Sequence, residues 1–69
     1  MEIKLYDPVR WQSCNGTREG VVFNIYNALD AFGDTINFYH IKYSDGFGGY
    51  SMAMIAETEL HQIEFELIK

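Results

Sequence analysis

Apolar and polar side chains alternate with a period of two in three runs of the chain, each bounded by glycine-containing turns, and that pattern predicts β-strands. From Glu19 to Tyr26, Val21, Phe23 and Ile25 fall on one face, and Val22, Asn24 and Tyr26 fall on the other. From Ile36 to Tyr43, Tyr39, Ile41 and Tyr43 form one row, while Phe38, His40 and Lys42 form a more polar one. The third run spans Tyr50 to Ile55, with Met52 and Met54 on one side and Ala53 and Ile55 on the other. Methionine suits adaptable binding surfaces, although filling gaps in a core is its commoner use. Between the second and third runs, Ser44-Asp45-Gly46-Phe47-Gly48-Gly49 reads as a hairpin turn, its glycines supplying positive φ angles.

The two ends add shorter signals. Ile3 and Leu5 alternate with charges at the start, and Phe65 and Leu67 do so at the finish. Short amphipathic strands are marginal unless paired, so Ile3 to Tyr6 is expected to pair antiparallel with Glu64 to Ile68 and close the sheet. Asp7-Pro8 marks a bend, and Val9 to Ser13 resumes as strand before a turn at Cys14-Asn15-Gly16-Thr17. Asn27 to Thr35 reads most simply as a longer loop, with a helical turn at Ala28-Leu29-Asp30-Ala31-Phe32 as the alternative. Ala56 to His61 does not alternate; it is too short for a stable free helix and predicts one turn of 3₁₀ or α helix. The expectation is one all-β domain over residues 1–69, with about five strands and a helical turn before the last. Val21, Phe23, Ile25, Tyr39, Ile41, Leu60 and Ile63 form its expected core.

Composition agrees with a packed domain. A chain of 69 residues hides only about 60% of its unfolded surface, and hydrophobic residues at 48% with aromatics at 16% supply the core this demands. The single cysteine, Cys14, excludes an internal disulfide and has no ligand partners at zinc spacing. The first residues lack a basic, apolar leader, and no run approaches the ~20 apolar residues of a membrane span, so a cytoplasmic location is expected. Ten acidic against five basic residues give a formal charge of −5. The basic residues are scattered singly, which argues against general nucleic-acid binding. Small phage- or mobile-element-encoded proteins commonly have this size and charge.

The order of elements is similar to that of the SH3-like small barrels. The resemblance is carried by Val9-Arg10-Trp11, Gly16 with Gly20-Val21-Val22, Tyr39 to Gly46, and Glu57-Thr58-Glu59-Leu60. It implies an SH3-like or Tudor-like barrel but no particular activity, because this fold carries many functions. Tudor-type readers hold a methylated Lys or Arg in an aromatic cage, and Trp11, Tyr43, Tyr50 and Phe47, with Asp45 nearby, fall at similar places. The alternative for Trp11 and Tyr43 is that they fill the core. The plasmid-encoded type of dihydrofolate reductase is also similar, at Val9-Arg10 and from Met52 to Ile63. Where that family has Val-Gln-Ile-Tyr lining a pore between four subunits, this chain reads Met52-Ala53-Met54-Ile55, and the reductase activity does not carry over.

Catalytic chemistry finds little support. Cys14 sits in a turn with no base beside it, and His40 and His61 read as solvated surface residues. Glu57, Glu59 and His61 offer too few ligands for zinc. No catalytic residue, metal or cofactor is therefore expected. The leading expectation is an acidic protein-binding module, an accessory or inhibitory subunit, whose partner is another protein and whose contacts are Trp11, Tyr43, Asp45, Phe47 and Tyr50 at the barrel rim. The alternative is a homo-oligomer with a small-molecule pocket on its symmetry axis; the sequence leaves the oligomeric state open.

Overall fold

The structure, a computed structural model, describes residues 2–68 and holds five antiparallel strands in one sheet. They are β1 (Pro8–Ser13), β2 (Gly16–Leu29), β3 (Thr35–Ser44), β4 (Tyr50–Ala56) and β5 (Glu66–Leu67), in the spatial order β4-β3-β2-β1-β5. A 3₁₀ turn, Glu57–Glu59, precedes the last strand. The all-β class, the strand number and the helical turn all agree with the sequence.

The 14-residue β2 organises the rest: its first part pairs with β1, and from Gly20 onward it pairs with β3. Gly20 belongs to both ladders, opposite Val9 and Tyr43. A Cβ there would stand 2.5 Å from the Lys42 carbonyl oxygen and 2.9 Å from Ile41 Cγ2, so only glycine lets β3 come this close. Strand β2 also extends to Leu29, into the stretch expected to be loop, and the loop proper shrinks to a turn. There Asp30 Oδ1 accepts hydrogen bonds from the amides of Phe32 and Asp34.

Two sequence expectations are corrected. First, Ile3 to Tyr6 is not a strand. Asp7 Oδ2 accepts from the Lys4 amide at 2.9 Å, Tyr6 takes φ 70°, and the chain turns instead of extending. Ile3 still drops into the core, but β5 pairs with β1, Val9 opposite Leu67 and Arg10 opposite Glu66. Pro8 opens β1, the position in a strand where a missing N–H does least harm.

Second, Val21 and Phe23 point outward. A β-bulge between Val22 and Asn24 makes Phe23 an extra residue: Val22 lies opposite Ile41 while Asn24 already lies opposite His40. The inward row of β2 is therefore Gly20, Val22 and Ile25. Val22 is fully buried, whereas Val21 and Phe23 are 42% and 36% exposed. The core comprises Ile3, Val9, Trp11, Val22, Tyr39, Ile41, Ile55 and Phe65, with Ile25, Tyr43, Leu60 and Ile63 packed against it.

Candidate functional site

The five residues expected at an aromatic rim do not come together. Trp11 is a core residue, 5% exposed, stacked on Phe65 at 6.3 Å and meeting Tyr43 edge-on at 5.6 Å. Tyr43 is half-buried beside it, with the Arg18 guanidinium 5.1 Å above its ring. Tyr50 lies on the opposite side of the sheet, exposed, with Lys42 Nζ 4.6 Å from its ring centroid. Asp45 is committed to its own loop, where Oδ1 accepts from the amides of Phe47 at 2.7 Å and Gly49 at 3.2 Å. Phe47 stands at the loop tip, 93% exposed between two glycines of φ +84°. Two rings thus face inward, one outward and one into solvent, and no cage is formed.

The outward row of β2, β3 and β4 presents a more coherent surface. Antiparallel pairing sets His40 opposite Met54, Lys42 opposite Met52, and Ser44 opposite Tyr50; on the other side of β3, Val21 faces Lys42 and Tyr26 faces Phe38. Paired residues share a face, so these side chains lie together on the outside. The bulge swings Phe23 onto His40, the rings stacking at 5.5 Å. His40 also meets Tyr26 edge-on at 5.0 Å, Tyr26 stacks on Phe38 at 5.6 Å, and the Tyr26 hydroxyl donates to Met54 Sδ. Five neighbouring side chains are thereby held in one arrangement.

This face is apolar and nearly uncharged. Met52, Met54 and Tyr50 are 62%, 58% and 69% exposed. At roughly 150–250 Å² for a large side chain, these residues with Val21 and Phe23 display on the order of 400–500 Å² of mostly apolar surface. That is as large as the biggest patch on a typical monomer. Of the ten carboxylates only Glu19, two residues before Val21 in β2, shares this side of these three strands; it lies at the border of the patch and is paired with Arg10 at 3.6 Å. The basic groups within it are Lys42 and His40.

Elsewhere the chemistry is sparse. A hollow of about 470 Å³ is lined by Glu57, Leu60, His61, Glu64 and Phe65, but Glu57 Oε1 accepts from the Asn37 amide at 2.8 Å. Among the described residues no group of three or more His, Cys, Asp or Glu could hold a metal ion. Cys14 is exposed in the β1–β2 turn. Hydrogen bonding to Glu66, reinforced by its charge, raises the pKa of Arg10 above its usual value, and Arg10 fastens β1 to β5 at 2.5 and 2.7 Å.

Comparison of the chain with protein-family models, curated proteins and solved structures finds no match.

Proposed function

We propose that this chain is a protein-binding module, an accessory or inhibitory subunit without catalytic activity, that docks through the outer face of β2, β3 and β4. The reading is carried by one observation: a chain of charge −5 keeps its acidic groups off the centre of this apolar exposed surface, with Glu19 alone at its border and paired with Arg10. Aromatic residues and Met with few charges are the composition of interface centres. Methionine adapts to the shape of its partner, and the stacked Phe23, His40, Tyr26 and Phe38 rings have little freedom to lose on binding.

The partner's chemistry follows from charge. An apolar patch matches the centre, an acceptor group matches Lys42 and His40, and basic residues around that patch match the acidic remainder of this chain. The element order supports kinship with the SH3-like barrels. A methylated Lys or Arg is a poor candidate ligand with Trp11 inside the core.

Capture from a cell lysate by immobilised wild-type protein and by Val21→Asp and Phe23→Ser variants tests the proposal. A partner retained by wild type and lost by both variants, with their circular dichroism unchanged, is the expected result. A partner retained by both but lost by Phe47→Ala would transfer the site to the loop tip.

A further inference from the structure

We propose that the open edge of β4 pairs with β4 of a second copy of this chain, antiparallel about a two-fold axis at Ala53, so that two sheets merge into one. The inference builds on the docking face above, which such a dimer would double in width.

The two edges of the sheet differ. Strand β5 is two residues long and carries Glu66, and short length and charge are the usual protections of an edge. Strand β4 has neither. Its seven residues, Tyr50-Ser51-Met52-Ala53-Met54-Ile55-Ala56, include no charge and no proline, and its ladder with β3 runs without a bulge.

The backbone phase shows which groups face outward. The Asp45 amide donates to the Gly49 carbonyl at 3.2 Å, so the pairs Tyr43–Ser51, Ile41–Ala53 and Tyr39–Ile55 are the hydrogen-bonded ones. Tyr50, Met52 and Met54, all more than half exposed, then turn their N–H and C=O groups to the open edge; Ala56 has the same phase but is 8% exposed, so the edge is covered at that end. Val22 confirms the phase from the far side: opposite Ile41, it directs its groups away from β3, to the Tyr6 amide at 2.6 Å and the Asp7 carbonyl at 3.1 Å. Among the described residues no further backbone hydrogen bond reaches the β4 edge groups.

The strand is complementary to itself. A two-fold at Ala53 sets Met52 opposite Met54 in the exposed stretch and Ser51 opposite Ile55 beside it, and it brings Tyr50 to the covered Ala56, where a large ring meets the smallest side chain. The two Met52–Met54 pairs become hydrogen-bonded pairs, giving about four main-chain bonds, a number that rises to about eight where pairing uncovers Ala56. No carboxylate faces another across the pairing, an advantage for two molecules that each carry −5. The strand is roughly 24 Å long and would cover on the order of 500–600 Å² per copy with its exposed side chains, the lower end of specific interfaces.

Sedimentation equilibrium from micromolar to millimolar protein is the test, with twice the 8.0 kDa chain mass expected at the upper end. Met52→Pro removes an outward N–H without touching the ladder to β3, and it should be monomeric with unchanged circular dichroism. Should that variant unfold, Met52→Lys sets a charge beside the partner's Met54 and should weaken association at least tenfold. In a Cys14→Ser background, Ala53→Cys should form an intermolecular disulfide, because residues facing in a non-hydrogen-bonded pair are about 4.5 Å apart at Cα. A monomeric wild type, a folded Met52→Pro dimer, or a dimer that Ala53→Cys does not cross-link would overturn the proposal. Val21→Asp and Phe23→Ser lie off this edge and leave the mass unchanged, so the docking reading and the dimer fail separately.

Discussion

The inner and outer rows of β2, β3 and β4 carry comparable apolar side chains and meet opposite fates. Inside, Val22 and Ile41 are fully buried and Ile55 is 5% exposed; outside, Met52 and Met54 remain more than half exposed. A single layer of sheet has one core side, so an apolar residue in the second row adds nothing to folding unless something covers it. The difference teaches that hydrophobicity alone does not separate core from contact surface in these strands. Register separates them, and register here turns on one residue, Phe23.

The largest expected effect lies on the inner side. Ile41→Ala should cost about 2–5 kcal/mol, measured by urea unfolding, because the methyl groups removed are surrounded on all sides. Its outer counterpart, Met54→Ala, should stay within about 0.5 kcal/mol. Equal losses from the two would erase the distinction between the rows.

Gly20→Ala comes next, at about 1–3 kcal/mol, because its methyl group meets a backbone carbonyl that cannot swing aside as a side chain could. A neutral result would show that β2 and β3 can part at this crossing. Deleting Phe23 is a sharper and smaller test. Val22 and Ile25 would then stand two apart, the ladder to β3 would run without a bulge, and the core row would be kept. We expect a folded protein within ~1 kcal/mol of wild type that no longer docks. Unfolding on deletion would mean that the bend at the bulge is itself needed for the fold.

The smallest effect belongs to Phe47. At 93% exposure its ring has little packing to lose, and Phe47→Ala should leave the melting temperature unchanged to within the equivalent of about 0.5 kcal/mol. A marked loss of stability would mean that the ring folds back onto the domain.

Much of the fold was legible in the sequence because period-two alternation and glycine turns are local signals. The three long strands, the Asp45-Gly46 hairpin and the exposure of Phe47 were all readable. The bulge was not: Val21, Val22, Phe23, Ile25 and Tyr26 are apolar in both rows, so alternation continues equally well through a one-residue slip. The N-terminal turn is hidden because Ile3 and Leu5 alternate like a strand; what overrules that pattern is the local turn closed by Asp7 on the Lys4 amide together with the long-range hydrogen bonds of Tyr6 and Asp7 to Val22. The outer face was half visible. Phe38, His40 and Lys42 read as the polar row of one strand, and Met52 and Met54 as one side of another. Their union with Phe23 and Tyr26 depends on which strands are neighbours, which no local pattern contains.

The pairing of β1 with β5 has a kinetic meaning. Every other ladder joins strands consecutive in the chain, through turns short enough to close within microseconds. The docking of the C-terminal segment on β1 must bring together distant parts of the chain, and its loop-closure entropy is repaid by two residue pairs, the amides of Gln12 and Ile68 donating to Ile63 and Pro8, the burial of Phe65 against Trp11 and the Arg10–Glu66 clasp. The meander of β1 to β4 should accordingly assemble first and the C-terminal segment seal last. In native-state hydrogen exchange the amides of Glu66 to Ile68 should open well before those of Ile41, so that the chain end behaves as a latch on a sheet already built.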